Sequence, residues 1–273
     1  MIDLTLAQGA EHTKSENLRK IIDIINKERI TFLGKHDVNV PQANIKLARE
    51  YADKILSEYK CGGDMSIPIE VSPMSYAVEE KYDGYSYLNV EGRFFSKSLS
   101  NAAGSKGMPV EKTDRVIHLA DILKKVYEQC GADLHGELYK IGGISDDVTR
   151  IMGCNADEAQ RRQAQALEQE GYIGPLHYML IDIRAVHDKL LINEPHRLRR
   201  AILKWVYTKY IQPLDPHGYI QLTEELSGDP NEEFRRIVTA GGEGIIIKRE
   251  DALYIPGKKP ANNWIKGKKK ITH

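Results

Sequence analysis

The segment Val78-Glu79-Glu80-Lys81-Tyr82-Asp83-Gly84 ends an apolar stretch with a lysine and continues into a turn sequence. Three later segments again place glutamates and lysines beside glycine: His135-Gly136-Glu137-Leu138, Glu243-Gly244-Ile245-Ile246-Ile247-Lys248 and Trp264-Ile265-Lys266-Gly267-Lys268. A lysine next to an aspartate and a glycine is by itself usually a solvent-exposed turn. The four segments are therefore informative as an ordered set, which supplies an amine, several carboxylates and additional lysines.

The sequence around these segments alternates strands and helices from Ile67 onward. The chain has neither a GxGxxG nor a Walker A sequence, and the alternation lacks a strict βαβ rhythm. We therefore predict an α+β fold with antiparallel sheets rather than a Rossmann fold. Strands are predicted over 75–80, 85–90, 93–98, 133–139, 177–183, 245–248 and 264–268, with a two-residue hairpin turn at Glu91-Gly92. Helices are predicted from a cap at Thr113 to a stop at Gly131, and over 156–170, 197–210 and 232–240.

The length of 273 residues allows one large domain with an extension. Residues 1–66 are predicted to form an N-terminal helical segment, because apolar residues recur at helical spacing after Ser15 and again after Pro41. The run Cys61-Gly62-Gly63-Asp64 breaks this pattern. Residues 67–273, which hold all four segments, are predicted to form the second domain.

The overall charge favours no particular partner, since 39 Lys and Arg residues balance 39 Asp and Glu residues. From Lys248 to His273, however, eight basic residues accompany only two acidic ones. Such a strip suits phosphate groups or nucleic acid, and the alternative is a solvated tail. The runs Arg161-Arg162 and Arg197-Leu198-Arg199-Arg200 either contact a phosphate backbone or, as is commoner for such runs, form solvated helix faces.

Cysteine usage and the N-terminal sequence indicate where the protein works. The three cysteines are far apart and fit neither a zinc site nor a disulfide framework, which is typical of a reducing interior. The first residues lack the apolar core of a signal peptide, and no apolar run approaches the length of a membrane span. We expect a soluble, cytoplasmic protein without a membrane partner.

The residue types in the four segments suit phosphate chemistry. A lysine amine has a pKa of about 10.4, but burial and neighbouring cations lower that pKa, and Lys81 follows an apolar strand. The lysines of the third and fourth segments would lie on adjacent strands and neutralise a triphosphate. Glu137 and Glu243 can hold Mg²⁺, and Gly84 would let the backbone approach a ligand closely. These residues indicate covalent nucleotidyl transfer, in which an amine attacks an α-phosphate and pyrophosphate leaves.

The four segments resemble the motifs of the covalent nucleotidyltransferases, which include ATP-dependent DNA ligases, RNA ligases and messenger RNA capping enzymes. The resemblance to ATP-dependent DNA ligases is the closest, because of the first segment and the Trp-x-Lys-x-Lys form of the last. It covers roughly Pro68 to Lys270 and implies an adenylation domain that uses ATP and Mg²⁺. The resemblance implies that Lys81 forms the lysyl-adenylate, Glu79 lies against the adenine, Glu137 contacts the ribose or the metal, Glu243 contacts the metal, and Lys248, Lys266 and Lys268 contact phosphates.

Several positions depart from the ligase pattern. Ser86 replaces the arginine that is usual two residues after the motif glycine, and it supplies no positive charge. Ile181 replaces an aromatic residue that usually stacks on the adenine, and Tyr178 would point to the opposite face of its strand. Lys97 is predicted to substitute for an arginine that binds the 5′-phosphate of a nick. Only three residues follow Lys270, so no C-terminal OB-fold is expected. Either the chain is a catalytic core without this clamp, or a separate OB-fold or clamp protein supplies its role.

These observations favour an ATP-dependent polynucleotide ligase core that acts as a monomer on nicked duplex DNA. It would adenylate itself, transfer AMP to a 5′-phosphate and allow a 3′-hydroxyl to attack. An RNA ligase is the alternative within the same chemistry, and a GTP-using capping enzyme fits less well. A non-catalytic module that binds nucleotide or nucleic acid is the alternative from another class, motivated by Ser86, Ile181 and the absent OB-fold.

Overall fold

The computed structural model describes residues 76–99, 109–164, 171–187, 189–254 and 264–268. The helical segment predicted over residues 1–66, and the boundary that follows it, lie outside these ranges. None of the described helices is long and apolar enough to cross a membrane.

The strands are β1 (Tyr76–Lys81), β2 (Tyr85–Val90), β3 (Arg93–Leu99), β4 (Pro109–Glu111), β5 (Asp133–Tyr139), β6 (His177–Val186), β7 (Lys189–Leu190), β8 (Ile220–Leu222), β9 (Glu225–Leu226), β10 (Gly244–Arg249) and β11 (Trp264–Lys268). The α-helices are α1 (Ile117–Cys130), α2 (Ser145–Met152), α3 (Ala156–Gln163), α4 (His196–Val206) and α5 (Pro230–Thr239).

The strands form two sheets. The smaller sheet has the order β11-β10-β1-β9, and the larger has the order β4-β3-β2-β5-β6-β7, with β8 beside β6. Pairing is antiparallel throughout the described sheets except between β6 and β8. The predicted α+β fold with antiparallel sheets is therefore confirmed.

Strands β2 and β3 form the predicted hairpin, with Glu91 and Gly92 as its turn residues. Their φ angles are 55° and 78°, which suits the two-residue turns that match the twist of a hairpin. A Cβ at Gly92 would also lie 2.9 Å from the Cβ of Lys124 on α1. Glycine is needed here both for the backbone conformation and for close packing on the helix.

The main core lies between the larger sheet and the helices that pack on it. Leu119, Leu123 and Val126 recur at helical spacing on α1 and are buried together with Leu134 and Tyr178 of the sheet. Burying such side chains is the main source of stability for a domain of this kind.

A second, small core lies between the smaller sheet and α5. It contains Val78 of β1, Ile237 of α5, and Ile245 and Ile247 of β10. Successive side chains of a strand point to opposite faces, so the residues between these apolar ones point away from α5. This alternation sends Glu79 and the motif lysines to the other face of the smaller sheet.

The helix predicted after Thr113 begins later than expected, at Ile117. The Thr113 hydroxyl does not cap it, but accepts a hydrogen bond from the Phe94 N–H at 3.0 Å and donates one to Glu111 at 2.8 Å. Thr113 thereby joins β3 to β4. Gly131 ends α1 as predicted, in a left-handed conformation with φ of 59°.

Other helices differ from the sequence prediction in extent. Helix α3 ends at Gln163, and the predicted continuation beyond residue 164 lies outside the described ranges. Helix α4 ends at Val206, and the chain continues through a π turn over Tyr207–Ile211. Helix α2 was not predicted, and the Asp147 carboxylate stabilises its start by accepting the Ile144 N–H at 3.2 Å.

Candidate active site

The strand register brings the motif lysines to one face of the smaller sheet. Gly244 lies opposite both Lys81 and Lys268, and Ile246 lies opposite Lys266. Residues directly opposite each other in antiparallel strands share a face, as do alternate residues along one strand. Lys81, Lys248, Lys266 and Lys268 therefore project from the face that lies away from α5, as predicted from the adjacency of their strands.

Glu243 bridges two of these lysines at the outer end of the face. Its Oε2 accepts a hydrogen bond from Nζ of Lys81, and its Oε1 lies 3.0 Å from Nζ of Lys268. The Lys81 side chain is almost buried, whereas Lys268 is half exposed. One carboxylate thus holds a buried amine and an exposed ammonium group side by side.

Glu137 lies against the same group of charges from the larger sheet. Burial raises the pKa of Glu137 to about 6, although the nearby ammonium of Lys81 acts to lower it. The charge of Glu243 raises this pKa further, while Lys266 and the Gly84 N–H lower it. The structure therefore brings Lys81, Glu137, Glu243 and Lys266 into electrostatic contact, as the motifs predict.

Lys248 occupies a different, inner position. Its Nζ lies 2.7 Å from Oε2 of Glu79 and donates to the Ile181 carbonyl at 3.0 Å. The ring centroid of Trp264 lies 4.5 Å from the same nitrogen. Lys248 was expected to contact phosphate, and that role stays a prediction; in this structure its ammonium is buried between these groups.

The second carboxylate oxygen of Glu79 points toward a buried histidine. Glu79 Oε1 has no hydrogen-bond partner among the described residues and lies 3.9 Å from Nε2 of His196. A buried acceptor without a donor is costly, so such an atom often marks the place of a ligand donor or an ordered water.

A fully buried ion pair supports this inner region and was not predicted. Asp182 accepts two hydrogen bonds of 2.9 Å from Arg199 of α4. Burial alone would raise the pKa of Asp182, but Arg199 and His196 hold it well below its usual range. The predicted phosphate-binding or solvated role of Arg199 is therefore wrong. Its spacing to Ile202, Leu203 and Val206 is the sequence signal that places it on the buried face of α4.

His135 occupies the space between the two sheets. Its Nε2 lies 2.9 Å from Oγ of Ser86, and its Nδ1 lies 3.0 Å from the hydroxyl of Tyr254. Burial lowers the pKa of His135 to about 3, so the imidazole is neutral at physiological pH. Ser86, which departs from the ligase pattern, thus has a defined partner.

The motif glycines are required by packing between strands. A Cβ at Gly84 would overlap the carbonyl oxygen of Leu138, and a Cβ at Gly244 would overlap that of Gly267. Gly244 also has φ of 146°, which side chains disfavour. Gly84 was expected to allow close approach of a ligand. The contact of the turn before β2 with β5 is a second reason for glycine at this position.

The remaining predicted site residues lie at the margins of this arrangement. Ile181 is buried, with 6% exposure, and contributes its carbonyl to Lys248. Lys97 lies on β3, but the prediction for its side chain falls outside the described part of the chain.

A cavity of about 500 Å³ opens beside Lys81 and is lined by Tyr82, Tyr139 and Glu243, among others. Its size is within the range of ligand pockets.

Comparison with known proteins identifies the family of the chain. The profile of the ATP dependent DNA ligase domain matches residues 49–268. DNA ligase 2 of Methanosarcina mazei is 25% identical over 200 residues, which cover 70% of this chain and 32% of that protein. The ligase domain of LigD from M. tuberculosis superposes with a TM-score of 0.53 at 20% identity, covering 76% of this chain and 58% of that one. Mycobacterial DNA ligase D, solved as a complex with ATP and MES, gives a TM-score of 0.50 at 20% identity over 76% of this chain and 60% of that one.

The chain belongs to the ATP-dependent DNA ligase domain family, because the family profile spans most of its length. The likeness to the mycobacterial ligases shows that the fold is shared. The chain covers 32% of the length of the Methanosarcina mazei ligase that it matches. The match begins at residue 49, inside the segment predicted to be helical, and the boundary at residue 67 stays a prediction.

Proposed function

We propose that this chain is the nucleotidyl-transfer core of an ATP-dependent polynucleotide ligase, in which Lys81 becomes adenylated. The arrangement that supports this proposal is the outer end of the smaller sheet, where Lys81 and Lys268 share the carboxylate of Glu243. Glu137 and Lys266 complete the group. An amine between carboxylates and cations suits attack on a phosphate.

The first reaction would join Lys81 to AMP. An N–P bond forms between Nζ and the α-phosphorus of ATP while the bond to the bridging oxygen breaks, so pyrophosphate leaves. The nitrogen releases one proton before the attack and another as the N–P bond forms. Glu243, in hydrogen-bond contact with Nζ, is placed to accept the first proton, and the second passes to water. Lys266 and Lys268 would neutralise charge on the phosphate oxygens.

The purine of ATP suits the inner region. The Oε1 atom of Glu79 is an acceptor without a partner among the described residues, and the 6-amino group of adenine is a donor. Guanine carries an acceptor oxygen at the same position, so this atom favours ATP over GTP. Glu79 is 1% exposed, and the purine would therefore enter as the two sheets part slightly. Ile181 and Ile246 would then offer aliphatic surface to its faces.

Magnesium would bind with the substrate rather than before it. The described residues contain no cluster of three or more His, Cys, Asp or Glu side chains able to hold a metal. Glu137 and Glu243 offer two carboxylates, and Mg²⁺ is commonly held by one or two carboxylates together with substrate phosphates. Bound there, it would neutralise the charge of the departing pyrophosphate.

We propose nicked duplex DNA as the polynucleotide, because the family and the named relatives are DNA ligases. AMP would pass from Lys81 to a 5′-phosphate, for which Lys97 is the proposed contact, and a 3′-hydroxyl would displace it. An OB-fold or clamp, on the same polypeptide or on a partner, would hold the nucleic acid. We also propose that the chain acts as a cytoplasmic monomer.

The test is to incubate the purified chain with Mg²⁺ and α-labelled ATP and to measure its mass. We expect one covalent AMP per chain, lost in Lys81→Ala and in Lys81→Arg, which keeps a cation beside Glu243. Lys204→Arg is the matched control, because it exchanges the same residue types at another lysine–glutamate pair, that of Lys204 with Glu225.

The adenylated chain is then offered nicked DNA, nicked RNA and hybrid duplexes. Sealing of DNA supports the proposal, and sealing only with RNA at the 3′-hydroxyl side shows an RNA ligase. Binding of ATP without release of pyrophosphate would show a non-catalytic module and would overturn the enzyme proposal.

A further inference from the structure

His135 contacts elements that belong to both sheets. It lies on β5, two residues before Glu137 and on the same face of that strand. One ring nitrogen reaches Ser86 on β2, and the other reaches Tyr254, which lies between β10 and β11 in the chain. The imidazole is parallel to the indole of Trp264, the first residue of β11, with an interplanar angle of 7° and centroids 6.2 Å apart.

We propose that His135 is a positioning residue for nucleotidyl transfer. Through its stacking on Trp264, and through Tyr254, whose ring also packs edge-on against Trp264, it fixes β11, which carries Lys266, against β5, which carries Glu137. Ser86 holds the other edge of the imidazole. This inference rests on the proposed function, because Lys266 and Glu137 act on the same phosphate only if their strands keep their spacing. Misplacing a reacting group by about 1 Å can cost roughly 100-fold in rate.

The chemistry of the imidazole suits this role. A neutral imidazole has one N–H donor and one acceptor nitrogen, and each nitrogen of His135 faces a hydroxyl group. Since a hydroxyl can donate or accept, both nitrogens are satisfied whichever tautomer is present. The ring is 1% exposed, so water does not compete for these bonds.

The serine at position 86 belongs to the same unit. Its hydroxyl is short enough to meet the ring edge at 2.9 Å. A long cationic side chain at this point would add a charge close to His135, where Lys248 and Lys266 already exert their charges. Ser86 and His135 are therefore matched to each other.

The second contact between the sheets near this point runs through Lys248, which donates to the carbonyl of Ile181 on β6. Both links meet at Trp264, which lies opposite Lys248 and stacks on His135, so they adjoin at the inner end of the interface. Glu137 and Lys266 lie two residues further along β5 and β11 than His135 and Trp264. Loss of the His135 link is therefore expected to displace Glu137 and Lys266 relative to each other.

Three variants of His135 separate its two hydrogen bonds. His135→Phe keeps a flat ring and removes both bonds. The amide of an asparagine reaches the position of Nδ1, so His135→Asn keeps the bond to Tyr254. The longer glutamine reaches the position of Nε2, so His135→Gln keeps the bond to Ser86. His118→Phe, which removes the 2.9 Å bond of a partly buried histidine to the Leu176 carbonyl, is the matched control.

The measurement is the rate of lysyl-AMP formation at saturating ATP, together with the Kd for ATP. We expect His135→Phe to lower the rate about 100-fold and to change the Kd by less than about threefold. His135→Asn should recover part of the rate, and Tyr254→Phe should abolish that recovery while Ser86→Ala leaves it. An unchanged rate in His135→Phe, or a loss confined to the Kd, overturns the proposal.

A second readout does not need the reaction. Trp205 and Trp264 are the two tryptophans of the chain, so a Trp205→Phe background makes fluorescence report on Trp264 alone. We expect His135→Phe in that background to increase quenching of Trp264 by acrylamide, and an unchanged quenching constant overturns the link between the sheets. Failure of the unsubstituted chain to form lysyl-AMP would instead overturn the proposed function, whatever the fluorescence shows.

Discussion

The ammonium of Lys248 lies 2.7 Å from the carboxylate of Glu79, and neither side chain is exposed by more than 1%. The pair joins β10 to β1, and the further bond of Lys248 to the Ile181 carbonyl joins both strands to the larger sheet. Two opposite charges in the protein interior hold each other in place. Removal of either one leaves the other buried, without a partner and without water to solvate it.

The buried pair gives a prediction for stability. We expect Lys248→Met to lower the free energy of unfolding by roughly 3–5 kcal/mol, because the Glu79 charge is then buried alone. Adding Glu79→Gln to Lys248→Met should restore much of the loss. Urea denaturation measures both values. The control is Arg249→Ala, which changes the residue next to Lys248 on β10 and breaks only an exposed pair with Asp251, so it is expected to change little. Equal losses in the single and double variants would assign the effect to packing of the lysine stem.

Glu137 gives a prediction for pH dependence. Burial raises its pKa from 4.5 to about 6 in the folded chain, so the folded state holds this proton more tightly than the unfolded state. The protonated Glu137 carboxyl therefore makes its full contribution to the free energy of unfolding below pH 4.5. This contribution is lost as the pH rises through about 6. We expect the stability of the unsubstituted chain to fall relative to Glu137→Gln across this window. Parallel pH profiles of the two chains would contradict the assignment.

The reaction should depend on Glu137 in the opposite direction. If the carboxylate acts in its ionised form, the rate of lysyl-AMP formation rises with pH and levels off above about 6. The Glu137→Gln chain should lose this limb and react slowly at every pH. A single-turnover pH profile of both chains is the measurement, and retention of the limb in Glu137→Gln would assign it to another group.

Lys268 gives a prediction that separates catalysis from folding. Its side chain is 45% exposed and lies 3.0 Å from Oε1 of Glu243. We expect Lys268→Ala to lower the rate of lysyl-AMP formation by about 100-fold, because one phosphate-facing charge is lost. The midpoint of thermal unfolding should hardly move. Lys204→Ala removes another exposed lysine paired with a glutamate, and it should leave the rate unchanged. Equal effects of the two substitutions would remove Lys268 from the site.

Gly244 and Gly142 form a matched pair of glycines with positive φ. Their φ angles are 146° and 68°, but a Cβ at Gly244 would overlap the Gly267 carbonyl, whereas one at Gly142 meets nothing within 4 Å. We expect Gly142→Ala to cost about 1 kcal/mol for its backbone conformation and Gly244→Ala to cost several times more. Chemical denaturation measures both. Similar losses of stability in the two variants would show that β10 and β11 can move apart to accommodate a Cβ without a cost in free energy.

The sequence predicted the placement of the motif lysines because the evidence for it is local. Strict alternation along β1, β10 and β11 sends Val78, Ile245 and Ile247 to one side and the lysines to the other. The Glu91-Gly92 turn likewise fixes the hairpin that follows Lys81. These features depend on neighbouring residues only, and a single sequence displays them directly.

The partners of the buried charges could not be predicted in the same way. A lysine that ends an apolar strand suits a phosphate as well as a buried carboxylate, and the pairing of Lys248 with Glu79 joins residues far apart in the chain. The bond between Asp182 and Arg199 has the same character. Strands β7, β8 and β9, of two or three residues, are too short for an alternation pattern and exist only because neighbouring strands pair with them.

The shared carboxylate of Glu243 makes the outer end of the site sensitive to its own chemical state. A lysine nitrogen bonded to phosphorus no longer carries a positive charge, so self-labelling would remove one of the two cations that Glu243 holds. The carboxylate would then face an anionic phosphoryl group with Lys268 as its remaining counter-charge. If Lys81 is adenylated as proposed, this repulsion would favour transfer of AMP away from the lysine, whereas in the unmodified chain Glu243 again faces two cations.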